Sequence, residues 1–387
     1  MRVLKISVVL ILIALHPVAM AGGEKYEGRT SLADSARHLI ISKGGEAGLY
    51  QAFPDACRLK NGDIVAVFYA GDEHVTKQST QYPKAGRLCM VRSKDEGRTW
   101  SKPVTIYDDA DDNRDPHIAQ LSDGSLICSF FSLRYATFGA KDYEPVGGPQ
   151  LIRSKDNGKT WEKKATLLQT GSVDWYCSAP VREMPDGTLI LPVYYMDKGA
   201  VHAWGGVIRS TDKGKTWGQV IPIGQEANLP LAAETDVILL KDGTLYAALR
   251  AQKDFPMHYA VSKDLGKTWS KAMDIGFKGH SPSFTRLKTG EILLTTRAFK
   301  GTTGNRGYTG LRVSRDEGKT WEGPYLVDET LGAYPSTVEL KDSSVLVVYY
   351  EEGKGSGIRV FRFNVPEKSG DRISLNNPEA LLKLPLN

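Results

Sequence analysis

One octapeptide, Ser-x-Asp-x-Gly-x-Thr-Trp, recurs five times in this chain: Ser93–Trp100, Ser154–Trp161, Ser210–Trp217, Ser262–Trp269 and Ser314–Trp321. Successive tryptophans are 61, 56, 52 and 52 residues apart. Periods of that size mean one supersecondary unit, stacked or closed into a ring. Each unit also holds short alternating runs, such as Thr244–Arg250, that read as strands. In the box itself, Ser and Asp side chains can bond nearby backbone N–H groups while Gly takes the positive φ that closes the turn. The Trp is then free to cover the gap to the next unit. Five of the seven tryptophans are spent this way, so the boxes read as structural.

A second repeated feature is a tight turn ahead of each strand run: Asn61-Gly62, Asp123-Gly124, Asp186-Gly187, Asp242-Gly243, Thr289-Gly290 and the degenerate Asp342-Ser343. These read as hairpins. Six hairpins and five boxes predict an all-β fold, a six-bladed β-propeller. The last blade lacks a box and is completed by an N-terminal strand around His38 to Ser42, which closes the ring and removes sheet edges.

Composition narrows the function classes. The 50 Lys and Arg exceed the 45 Asp and Glu by five over 387 residues, with no basic run, which excludes a nucleic-acid footprint. Arg2 and Lys5 precede an apolar core, Ile6–Leu15, and the small-residue site Ala19-Met20-Ala21. That pattern reads as a signal peptide over residues 1–21, cleaved to leave a secreted or periplasmic protein with no membrane span. Residues 37–387 read as one propeller domain, a monomer. Cys57, Cys89, Cys128 and Cys177 match no metal or disulfide framework and read as buried free thiols. No metal or cofactor is called for.

Aligning the units on the hairpin Gly separates scaffold from chemistry. Eight residues earlier stand Pro54, Pro116, Ala179, Thr235, Pro282 and Pro335, at the start of each innermost strand. The position before varies: Phe53, Asp115, Ser178, Glu234, Ser281 and Tyr334. Innermost strands surround the central channel, so Asp115, Glu234 and Tyr334 should converge on one axial pocket. Seven residues after the turn come Tyr69, Phe131, Tyr194, Arg250, Arg297 and Tyr350, expected at the same mouth. Asp72 and His74 in the first blade's loop, and His202, Trp204 and Trp175 around the third blade, are expected nearby. Flat aromatic faces beside polar groups suit sugar rings.

At this point the chain resembles the sialidase (neuraminidase) superfamily, over about Tyr50 to Glu351. The resemblance rests on the five Asp-boxes, on Glu234 and Arg250 bracketing one blade's first two strands, on Arg306 eight residues before a box, on Ala333-Tyr334-Pro335-Ser336 and on Glu351. It implies an exo-glycosidase that removes a terminal acidic sugar from a glycan. Tyr334 would be the nucleophile, Glu234 its base, Asp115 or Asp72 the acid/base. Arg114, Arg250 and Arg306 would bind the sugar carboxylate, with Arg297, His74 and Trp175 as further contacts. A neutral Tyr suits such a substrate, because the carboxylate on the anomeric carbon of a 2-keto sugar acid would repel an anionic nucleophile. Two features depart from the family pattern. Ala52-Phe53-Pro54 stands where an Arg-Ile-Pro is expected, and Asp72 lies closer to its strand than the usual acid/base. Arg114-Asp115, one blade later, could supply both functions. Two alternatives stay open: a hydrolase or lyase for another uronic or rhamnose-linked sugar, using Arg114, Asp115 and His117, and a carbohydrate-binding propeller without turnover.

Overall fold

The computed structural model describes residues 38–365, apart from 75, 77–84, 136–142, 169–174, 196–202, 226–233, 253–254, 300–306, 329–331 and 354–355. The N-terminal apolar segment, Arg306 and His202 lie outside the described residues. Six antiparallel sheets of four or five strands form a ring, as the hairpin and box counts require. In blade 1 the strands run outward from the axis as Tyr50–Arg58, Ile64–Gly71, Arg87–Ser93 and Val104–Tyr107. In blade 6 they are Gly332–Glu339, Val345–Glu351 and Gly357–Phe363, and the outermost place is filled by the N-terminal strand His38–Lys43.

The box turns behave as their chemistry demands. In the first, Ser93 Oγ accepts the Gly97 N–H at 2.8 Å and donates to Asp95 Oδ1 at 2.8 Å, while Asp95 accepts both the N–H and the hydroxyl of Thr99. The Ser-to-Gly bond recurs in the other four. The residue before each box Gly also takes a positive φ, between 56° and 61°. Each box leans on the preceding blade. A Cβ on Gly97 would come 2.9 Å from the Leu346 methyl of blade 6, which would have to shift, and the φ of 80° itself favours Gly there.

The hydrophobic cores lie at the seams between blades. Trp100 packs on the seam of blades 6 and 1, Trp161 on that of 1 and 2, Trp217 on 2 and 3, Trp269 on 3 and 4, and Trp321 on 4 and 5. The seam of blades 5 and 6 has no box of its own, and Phe361, Phe363 and Val365 fill it instead.

The innermost strands carry the feature that shapes the channel. In blades 1, 2, 5 and 6 the ladder shifts register between Ala52 and Asp55, Arg114 and His117, His280 and Ser283, and Ala333 and Ser336. Phe53, Asp115, Ser281 and Tyr334 sit on these bulges with φ between 46° and 53°. Each is followed by a proline, which has no N–H to lose where the ladder breaks. The bulges turn these four side chains out of the sheet.

Candidate active site

All six residues of the variable column, Phe53, Asp115, Ser178, Glu234, Ser281 and Tyr334, line one axial cavity. Its volume is about 30 Å3, space for a water or two.

Tyr334 and Glu234 are its centre. The Tyr334 hydroxyl donates to Glu234 Oε1 at 2.6 Å, and Arg250 Nη1 donates to the same oxygen at 2.5 Å. Oε2 takes the Ser281 N–H at 3.2 Å. Burial pushes the Glu234 carboxyl up, but the Arg250 charge, with hydrogen bonds from Arg250 and Tyr334, outweighs it and holds the group at about 2. Burial and the Glu234 charge push the Tyr334 phenol up to about 12, against the pull of Arg250 and Arg297. The resting pair is therefore a neutral phenol on a carboxylate. Arg297 flanks the other side, its guanidinium 5.1 Å from the Tyr334 ring centroid. It donates to Gly332 O through Nε and to the Tyr350 hydroxyl at 3.1 Å.

Asp115 enters the same cavity, half-buried, and its Oδ1 has no hydrogen-bond partner among the described residues. Burial, reinforced by Glu234, raises its carboxyl to about 6 despite Arg114 and His117. Such a group holds a proton in weakly acidic solution, as a general acid needs. Below it His117 Nδ1 lies 3.8 Å from Asp55, which caps the Ile118 N–H.

Arg114 is buried beneath the blade 1 loop. It is 5% exposed, donates to Asp112 at 3.1 Å and to His74 O at 2.6 Å, and lies 4.8 Å from the Tyr69 ring centroid. The bond to His74 O ties it to the blade 1 loop that carries Asp72 and His74. Asp72 is half-buried in that loop, its N–H bonded to Thr76 Oγ1. The exposed His74 ring stands 5.4 Å from Phe53, which in turn contacts Tyr334 at 5.0 Å. Trp175 is 6% exposed and packs in the seam of blades 2 and 3. Trp204, half-buried, stacks on Tyr195 at 4.4 Å.

Two members of the mouth escape sequence reasoning. Glu351 turns outward to Arg359, and its neighbour Glu352 is the acid at the site, accepting from Tyr50 at 3.0 Å and Tyr350 at 2.8 Å. Glu352 stands just past the strand end, where period-2 alternation no longer predicts direction. Tyr50 precedes the aligned columns, so no repeat signal marks it. It also meets His74 Nδ1 at 2.7 Å.

The geometry defines a six-bladed propeller with a Tyr–Glu–Arg centre at its axial mouth. The chain belongs to the BNR repeat-like domain family, whose model matches residues 139–347, more than half its length, and it is a sialidase-like member. A sialidase of Bacteroides fragilis is 28% identical over 216 residues, 52% of this chain and 39% of its own; one of Paraclostridium sordellii is 27% identical over 132 residues, 31% of each. The chain thus spans well under half the length of these curated relatives. Among solved structures, a protein of unknown function from Dyadobacter fermentans aligns with a TM-score of 0.68 at 24% identity, covering 84% of this chain and 97% of that one. The NanB sialidase of Streptococcus pneumoniae aligns at 0.66 and 15%, covering 85% and 71%. At these identities the structures establish the fold.

Proposed function

We propose that this protein is a glycosidase that removes a terminal acidic sugar, sialic acid or a close relative, from a glycan. The observation that carries the reading is the hydrogen-bonded Tyr334–Glu234 pair with Arg250 on the same carboxylate oxygen. Tyr334 attacks the anomeric carbon as its proton passes to Glu234, and Asp115 protonates the leaving oxygen. A neutral phenol approaches a carboxylate-bearing carbon without repulsion, and the nearby guanidinium groups of Arg250 and Arg297 attract that carboxylate. Arg306 and Asp72 are further candidates for the clamp and for the acid/base. The N-terminal apolar segment, read as a signal peptide, supports an exported enzyme acting on exposed glycans.

An aryl sialoside assay tests this. The wild type should release the phenol, and Arg297→Ala should raise KM for the acid while leaving its methyl ester little affected. Release of neither sialoside nor uronide by the folded protein would leave a binding propeller as the reading.

A further inference from the structure

His280 begins the innermost strand of blade 5, His280–Arg286, directly before Ser281, whose N–H bonds Glu234. It pairs across the ladder with Arg297. The residue is 7% exposed, its ring edge-on to Phe299 at 4.6 Å, yet neither Nδ1 nor Nε2 has a hydrogen-bond partner among the described residues. Arg250 Nε is orphaned in the same way. Buried polar atoms are rarely left unpaired, because each loses its water without compensation. The charged groups facing His280 are Arg250, Glu234 and Arg297. Burial and the two guanidinium charges, against Glu234, keep the imidazole neutral, with its value lowered to about 3. It therefore offers one N–H without adding charge. A ligand group drawn to this corner by Arg250 and Arg297 is an anionic acceptor.

We propose that His280 contacts the ligand, its ring N–H donating to the carboxylate of the acidic sugar beside Arg250. This rests on the functional reading above and adds the residue that helps select an acid over a neutral sugar.

Calorimetric titration of the full chain with 2-deoxy-2,3-didehydro-N-acetylneuraminic acid and with its methyl ester tests it. His280→Leu should weaken the acid by roughly tenfold to a hundredfold, the range for a hydrogen bond to a charged group, and leave the ester nearly unchanged. His280→Gln, which restores a donor, should recover most of the loss. In the wild type, the His280 ring nitrogen resonances should move on adding the acid and not the ester, a readout that stands even if His280→Leu folds poorly. Wild-type affinity for the acid in a folded His280→Leu, or ring resonances unmoved by the acid, would overturn the assignment while leaving the Tyr334–Glu234 reading intact. A wild type that binds neither compound would overturn both.

Discussion

Tyr334 and Glu234, 100 residues apart in sequence, meet at 2.6 Å across the mouth of the channel, one from blade 6 and the other from blade 4. Nothing local holds them together. Their distance is set by the closure of the ring and by the bulge that gives Tyr334 a φ of 46°. Tyr334→Phe keeps the ring volume and removes the proposed nucleophile, so turnover should fall by about three orders of magnitude or more while the melting temperature changes little. Glu234→Gln should lose activity similarly but also strip Arg250 of its partner. Its melting temperature should therefore drop where that of Tyr334→Phe does not.

Asp115 can be tested by two measurements. Its folded value of about 6 lies above the ordinary 3.8, so the native state holds this proton more tightly than the unfolded chain. The associated stability is present in full below about pH 4 and is lost as pH rises through 6. Asp115→Asn removes that loss. Thermal denaturation should show the variant more stable at pH 7.5, by about 2–3 kcal/mol at most, with the two curves meeting near pH 4. Turnover of the same variant should fall by about two to four orders of magnitude, and much less on a substrate whose leaving group needs no proton. Equal losses on both substrates would move the acid/base to Asp72.

Asp236 should matter for stability alone. It is fully buried, takes a bidentate bond from Arg182 of blade 3 at 3.1 and 2.5 Å, and accepts the Phe284 N–H of blade 5 at 2.7 Å. One carboxylate thus ties three blades. Asp236→Ala leaves Arg182 without its anion and should cost about 3–5 kcal/mol in denaturant unfolding.

The ring was legible because its signals are local and repeated. Box, hairpin and innermost-strand columns each specify a turn or a strand end, and six aligned copies placed Asp115, Glu234 and Tyr334 in one cavity. What stayed hidden depends on packing between copies. The contacts of Arg114 with Asp112, two residues away, and with the Phe53 and Tyr69 rings follow from how blades 1 and 2 pack, which no repeat signal marks. Trp175 packs into the seam of blades 2 and 3, a contact between blades that the sequence does not mark. Glu352 is missed because a strand end lets the chain turn and exchange one glutamate for its neighbour. The positive φ shared by Phe53, Asp115, Ser281 and Tyr334 was visible only as the proline that follows each.

The assignment of Tyr334 as the nucleophile is tested most directly with a 3-fluoro sialosyl fluoride, which forms a glycosyl-enzyme readily and releases it slowly. Intact mass and peptide mapping then locate the bound sugar. One added sugar acid is expected, carried by Tyr334 and absent from Tyr334→Phe. An adduct on Asp115 or Asp72, or wild-type turnover by Tyr334→Phe with no adduct on Tyr334, would contradict the assignment.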